Sequence, residues 1–410
     1  MTDAPNQRRR LLLRGLAASP FALSFAGNRT ALAEGGDIPI GLVLPFTGAT
    51  GPYGPDMKKA ALLASGFVND HGGILGGRKL RLFIEDEETS ATASVIATRK
   101  LLEVDKVVMV GGFWGSPPAL AARPLILNAD TVQMVSCSAP AVTAGDTKHL
   151  VYRFQASSAQ WGPACAKVAK EMGVKTVAIL AQQNPFVVAI IEPFKAELAR
   201  LGGTVTETVM YNPDQASYRA EVERAFGGEP DTVLCLSLLT DMVAIVKEAY
   251  RAGFKSKIIG LGTGADADGA FLKSVSADVA EGIHHIQPAP PLHSPSYEKF
   301  VKEMGASPGT VFLFAGNVHD QICVAALAME LAKSTDPLVW SKSILEVCNP
   351  PGEPTDDVTR GLDMIRQGKK IKFTGAGASC DFNDRGDQLN RSFLHQVIEN
   401  GRNKIVDVIT

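Results

Sequence analysis

The stretch IPIGLVLPFTGATGPYG, residues 38–54, sets the architecture of the chain. Ile38 to Leu44 is a short apolar run of strand length. The ten residues after it, PFTGATGPYG (45–54), are rich in Gly, Thr and Pro and read as a loop. A helix is predicted from Pro55 to about Asp70, and a second strand from Lys79 to Glu85. A strand that leads through a loop and a helix into another strand is the unit from which parallel sheets are built.

The same alternation continues along the chain. A helix from about Ala91 to Val104 precedes strands at Val107 to Gly111 and Val132 to Ser136. A second series starts with a helix at 160–172 and a strand at Thr176 to Leu180. It continues with a helix at Val187 to Leu201, a strand at Val205 to Tyr211 and a helix at 216–226. A strand at Thr232 to Leu238, a helix at Met242 to Ala252 and a strand at Lys257 to Leu261 complete it. Two such series predict two α/β lobes, each a doubly wound parallel sheet with helices on both faces. Ligands of open parallel sheets bind outside the carboxyl ends of the strands. The loops of interest are therefore 45–54, GGFWGSPP (111–118), SCSAP (136–140), AQQNPF (181–186) and GLGTGADADG (260–269), whose Gly, Ser, Thr and aromatic residues suit a small polar ligand.

The amino terminus carries a different kind of signal. Arg8, Arg9 and Arg10 lead into Leu11-Leu12-Leu13-Arg14, followed by an apolar stretch without acidic residues and then Ala31-Leu32-Ala33. Residues 1–33 are predicted to be a cleaved signal peptide, which places the mature chain in the periplasm. The apolar stretch is too short for a membrane anchor. The paired arginines look like a twin-arginine export signal, and a Sec signal with a basic start is the alternative.

Composition excludes several partners. The 410 residues are 45% hydrophobic and 20% charged, with a net charge of -2. Neither nucleic acid nor anionic lipid is expected with that balance. The six cysteines, Cys137, Cys165, Cys235, Cys323, Cys348 and Cys380, form no C-x-x-C and no zinc-finger spacing. Cys348 and Cys380 stand in loop-like surroundings where an exported protein can form a bridge, so a disulfide between them is a candidate.

No catalytic or metal motif survives inspection. GLGTGADADG lacks the G-x-G-x-x-G spacing of a dinucleotide loop. A calcium loop starting at Asp266 would need a bidentate Glu where Ala277 stands. His284 and His285 are adjacent in a strand and point to opposite faces, which favours a structural or hinge role over shared chelation. The acidic run Glu85-Asp86-Glu87-Glu88 reads as a solvated strand end. No enzyme and no cofactor are expected.

IGLVLPFTGATGPYG (40–54) and VNDHGGILGGRKLRLFIEDEE, together with ATRKLLEVDKVVMVGG, SCSAPAVT, VYRFQASSAQWGPACA, PDTVLCL, KEAYRAGFKSKIIG, NVHDQICVAALAMELAKSTDP and GASCDFNDRGDQ, resemble in this order the leucine/isoleucine/valine-binding protein family. These are extracytoplasmic receptors of ABC importers with the type I periplasmic-binding fold. The resemblance implies two lobes on a three-segment hinge: residues 38–157 plus 286–378, and residues 158–285 plus 379–410. It implies a monomer that captures an amino acid or related small organic carboxylate or amide, closes on it, and delivers it to membrane permease subunits. A periplasmic sensor that hands its ligand state to a membrane receptor is the alternative.

By position, the family's carboxylate-holding loops correspond to Trp114-Gly115-Ser116 and to the segment containing Ser136, Ser138 and Ala139. Ser116 also stands where a helix cap belongs, ahead of Pro117 and Pro118. Tyr53 falls at an aromatic wall. Phe186 replaces a tyrosine, and Pro140 a threonine. The acidic partner of a ligand ammonium falls nearest Gly262, with Asp266 or Asp268 as substitutes. That loss points to a ligand without an ammonium group, walled by Trp114, Phe186 and Tyr53.

Overall fold

The computed structural model of the protein describes residues 36–266, 269–389 and 391–409. The leader expected at 1–33 and the candidate Asp268 lie outside the described residues. The first sheet holds β1 (Ile38–Leu44), β2 (Leu80–Asp86), β3 (Met109–Gly112), β4 (Val132–Val135) and β5 (Val151–Arg153). Their order is β2-β1-β3-β4-β5, and every pairing is parallel. The second sheet holds β6 (Thr176–Gln182), β7 (Thr204–Tyr211), β8 (Thr232–Leu236), β9 (Lys257–Leu261) and β10 (His284–Ala289). Its parallel part runs β7-β6-β8-β9-β10, the same topology repeated.

Burial explains why these runs became strands. All seven residues of β1 are buried, as befits a strand flanked by β2 and β3 and covered on both faces. The outer β2 is only partly buried beyond Leu80. Each fully buried Ile, Leu or Val such as Ile40 or Leu42 contributes about 1.5–3 kcal/mol relative to exposure. The helix Ala315–Ala332 is buried from Ala315 to Met329, so it is apolar around most of its circumference and serves as a core element of the first lobe.

The expected lobe boundaries shift at two of the three crossings. The second sheet is extended beyond β10 by an antiparallel hairpin, Ser392–Glu399 and Arg402–Ile409. β10 is paired over its whole length in that sheet, so the return to the first lobe follows Ala289, at Pro290-Pro291, and not at 286. The segment expected to open the second lobe at 379 instead packs on the first. Cys380 and Phe382 lie in the first lobe's core, and Asp387 pairs with Arg153 at 2.8 Å. The last crossing is therefore at Arg391. This buried guanidinium donates to Gly377 O at 2.7 Å, and to Gln155 Oε1 and Asn317 Oδ1 at 3.1 Å each.

The candidate disulfide is not formed. Cys348 and Cys380 are both buried free thiols within the first lobe's core. A segment that looks like a loop in the sequence is packed inside, so the two cysteines serve as small apolar side chains. Among the described residues no helix is long and apolar enough to cross a membrane.

Candidate functional site

Strand order 2-1-3-4-5 places a switch point between the first and third strands of each sheet, here β1/β3 and β6/β8. The loops leaving these four strands face one another across a cleft of about 560 Å³. Gly48 and Ala49 follow β1, Trp114 to Ser116 follow β3, Asn184 and Phe186 follow β6, and Leu238 to Asp241 follow β8. Loops after β2, β4, β7 and β9 add Glu88 and Thr89, Ser136 to Ser138, Pro213 and Asp214, and Thr263. The cleft is thus made almost entirely of chain that has just left a strand's carboxyl end.

On the first lobe the backbone turns sharply to present Trp114. Gly112 has φ +90°, and a Cβ there would sit 2.6 Å from both Val43 O and Leu44 Cδ2, so only glycine fits. Gln321, from the buried helix, ties two cleft loops together. Its Oε1 accepts the Gly112 N–H at 2.8 Å, and its Nε2 donates to Ser136 Oγ at 3.0 Å. Trp114 stacks on Tyr53 with centroids 5.5 Å apart, and Phe314 meets both rings edge-on.

The three serines are prepared by their neighbours. Ser116 Oγ accepts the Ala139 N–H at 3.1 Å, Ser136 Oγ accepts from Gln321, and Ser138 Oγ accepts Trp161 Nε1 at 3.3 Å. An oxygen that already accepts leaves its own O–H to donate. Trp114 Nε1 is a further donor: it is buried and has no hydrogen-bond partner among the described residues. This wall offers donors, and so suits an acceptor oxygen.

Two backbone N–H groups of the 114–116 loop are already engaged. Gly115 N–H donates to Glu87 Oε1 at 3.0 Å, and the Trp114 N–H also donates to that carboxyl. Glu87 is fully buried, contrary to the solvated strand end expected of the acidic run. Burial pushes its carboxyl up to about 8, so it is protonated at pH 7. Beside it, Glu88 and Thr89 adopt φ of 51° and 53°, a costly conformation for a β-branched residue. The turn is held there by the Thr50–Thr89 hydroxyl contact at 2.8 Å and by Asp86 Oδ1 accepting the Glu88 N–H at 2.8 Å.

The second lobe presents the opposite chemistry. Asp241, 2% exposed, accepts Gln182 Nε2 at 2.9 Å, the Asp214 N–H at 3.3 Å and the Tyr218 hydroxyl. Asn184 Nδ2 in turn donates to Gln182 Oε1 and fixes that amide. Gly264 lets the loop after β9 pack on Ser237, whose carbonyl oxygen would lie 2.2 Å from a Cβ there. Thr263 Oγ1, on this loop, is buried without a partner among the described residues. Trp161 and Phe186 form an edge-on aromatic pair on the same side.

Of the residues named from the sequence, Trp114, Gly115, Ser116, Ser136, Ser138 and Phe186 line the cleft. Tyr53 stands behind Trp114, and Ala139 acts through its N–H on Ser116. Asp266 is turned away: its Oδ1 accepts Asn403 Nδ2 at 2.8 Å and the Gly269 N–H at 3.0 Å. Sequence reasoning missed Asp241, Trp161 and Phe314, and selected the loop of Thr263 without singling that residue out. The rule that selected five strand-end loops would also have selected 237–241 had it been applied to β8.

Residues 37–339 match the family described as periplasmic binding protein. A Leu/Ile/Val-binding protein homolog of Brucella melitensis is 23% identical over 327 residues, 79% of this chain and 86% of that protein. The fold is similar to a leucine binding protein of Thermotoga maritima, with a TM-score of 0.76 and 21% identity over 91% of this chain and 99% of that one. It is also similar to a solute binding protein of R. palustris solved with benzoate, with a TM-score of 0.69 and 15% identity over 91% and 96% of the two chains. The chain belongs to the periplasmic binding protein family and has its two-lobed type I fold.

Proposed function

We propose that the protein captures an amino acid or related small organic carboxylate or amide between its lobes and delivers it to an ABC importer, without chemical turnover. The observation that carries this reading is the division of the cleft: hydroxyl and indole donors on one wall, the Asp241 carboxylate on the other. An oxygen-bearing head bound at Ser116, Ser136 and Ser138 and a donor group bound at Asp241 would bridge the lobes. Only contacts made by both lobes at once stabilise a closed form. Export through the leader at 1–33, work as a monomer and recognition by permease subunits complete the reading. Relatives named for binding Leu, Ile and Val support the substrate class.

The test is a thermal-shift screen of the refolded mature protein against amino acids, their deaminated acids and small amides. A true ligand at a hundred times its dissociation constant should stabilise by about 2.7 kcal/mol. The ligand recovered afterwards should be chemically unchanged. Turnover, or the absence of any shift across the panel, would sink the reading.

A further inference from the structure

The charge of the cleft narrows the ligand further. Its ionisable carboxylates are Glu88, Asp214 and Asp241, and no Lys, Arg or His lines it among the described residues. None of the three is ion-paired with a described residue, whereas Asp357 pairs with Lys299 at 2.7 Å and Asp387 with Arg153 at 2.8 Å. Asp241 is buried among neutral donors only, from Gln182, Tyr218 and the Asp214 backbone. A buried carboxylate without a counter-charge favours a site whose cation arrives with the ligand.

Two polar side chains of the cleft are left unpaired by the described residues of the protein itself. Trp114 and Thr263 line the cleft on opposite lobes and are 8% and 3% exposed, and their buried Nε1 and Oγ1 have no partner among the described residues. Buried polar atoms of this kind are normally satisfied. The remaining wall is aromatic: Trp114, Trp161, Phe186 and Phe314. Aromatic faces attract organic cations and bury their carbon. They discriminate little against an anion's apolar body, so the charge pattern decides.

We propose that the ligand carries net positive charge, with a basic amino acid as its type. Its oxygen head meets the Ser116, Ser136 and Ser138 donors, one ammonium seats on Asp241, and a second cationic group is balanced by Asp214 or Glu88 at the rim. This rests on the solute-capture reading above and specifies its substrate class. It also replaces the expectation of a ligand lacking an ammonium group, which followed from the loss of an acidic residue near Gly262. The structure supplies that charge from a different strand end.

The experiment is titration calorimetry of the protein from an exporting host, unfolded and refolded to remove carried-over ligand, with lysine, arginine, leucine and benzoate as probes. Lysine or arginine should bind at least about tenfold tighter than leucine or benzoate, a difference of about 1.4 kcal/mol. The cation's affinity should fall as salt rises from about 20 to about 500 mM, with leucine unaffected. Asp241→Asn should weaken lysine at least about tenfold, and any leucine binding comparably, because both seat an ammonium there. Should that variant fail to fold, the double change at the exposed rim, Glu88→Gln with Asp214→Asn, should weaken lysine about threefold and flatten its salt dependence. Leucine or benzoate binding as tightly as lysine overturns this inference while solute capture stands. No binding by any probe overturns both.

Discussion

The two lobes share one topology and differ in what they place at its switch point. In the first, β1 and β3 hand the chain to loops that carry Gly112, Trp114 and Ser116. In the second, β6 and β8 hand it to Gln182, Asn184 and Asp241. One wall has its hydroxyl oxygens already accepting, so it donates. The other has a carboxylate, so it accepts. Repetition of a fold thus gives the geometry of a clamp, and loop chemistry gives the clamp a direction. On the proposed reading a bound molecule is oriented with its oxygen head to the first lobe and its amine to the second.

The largest effect that sharpens this contrast is expected at the aromatic floor of the donor wall. Trp114→Ala removes the ring stacked on Tyr53 and the unpartnered indole N–H. It should weaken ligand binding by about 3 kcal/mol, roughly two orders of magnitude by calorimetry. A loss under tenfold would remove Trp114 from the site.

Glu87 gives the next effect, and it is a matter of pH. Its folded carboxyl is raised to about 8 from an ordinary 4.5, so between those values the native state holds a proton that the unfolded state has lost. Stability from this group is therefore fully present below pH 4.5 and is lost as pH rises towards 8. Each pH unit in that window removes about 1.4 kcal/mol at most. Glu87→Gln should abolish that slope, raising the melting temperature at pH 8.5 relative to wild type and changing it little at pH 5. Parallel melting curves for the two proteins across pH 5–8.5 would contradict the burial argument.

Single serines come third. Ser136→Ala leaves Gln321 Nε2 without its acceptor and removes one donor to the cleft. Binding should weaken by about 1–1.5 kcal/mol, near tenfold. Asp266→Asn should have the smallest effect, within about twofold, because its contacts are to Asn403 and Gly269 behind the cleft. A tenfold loss there would return the ammonium to the position first expected from the sequence and break the assignment to Asp241.

Local patterning carried much of the architecture. Strand–helix alternation predicted two parallel sheets, the rule of strand ends selected the loops, and the family resemblance picked out Trp114, Ser116, Ser136, Ser138 and Phe186 within them, all of which line the cleft. Where local reading failed, long-range packing decided. The run at 85–88 alternates nothing and looks like surface, yet Glu87 is sealed beneath the Trp114–Ser116 loop that is more than twenty-five residues away in sequence. Cys348 and Cys380 look like loop cysteines and are core. The hinge crossings moved because pairing of β10 with β9 and Ser392–Glu399 extends to Ala289, and no sequence pattern announces where a pairing stops.

The sequence by itself determined the parallel two-lobed plan and most of the loops that line the cleft, because hydrophobic period and turn residues are local properties of the chain, and the order of its motifs gave the family. Only the tertiary structure decided the charge of the cleft. That charge depends on which carboxylates are buried without a cation, and burial is set by residues far apart in sequence. Asp241, held by Gln182, Tyr218 and Asp214 from other strand ends, is the case in point.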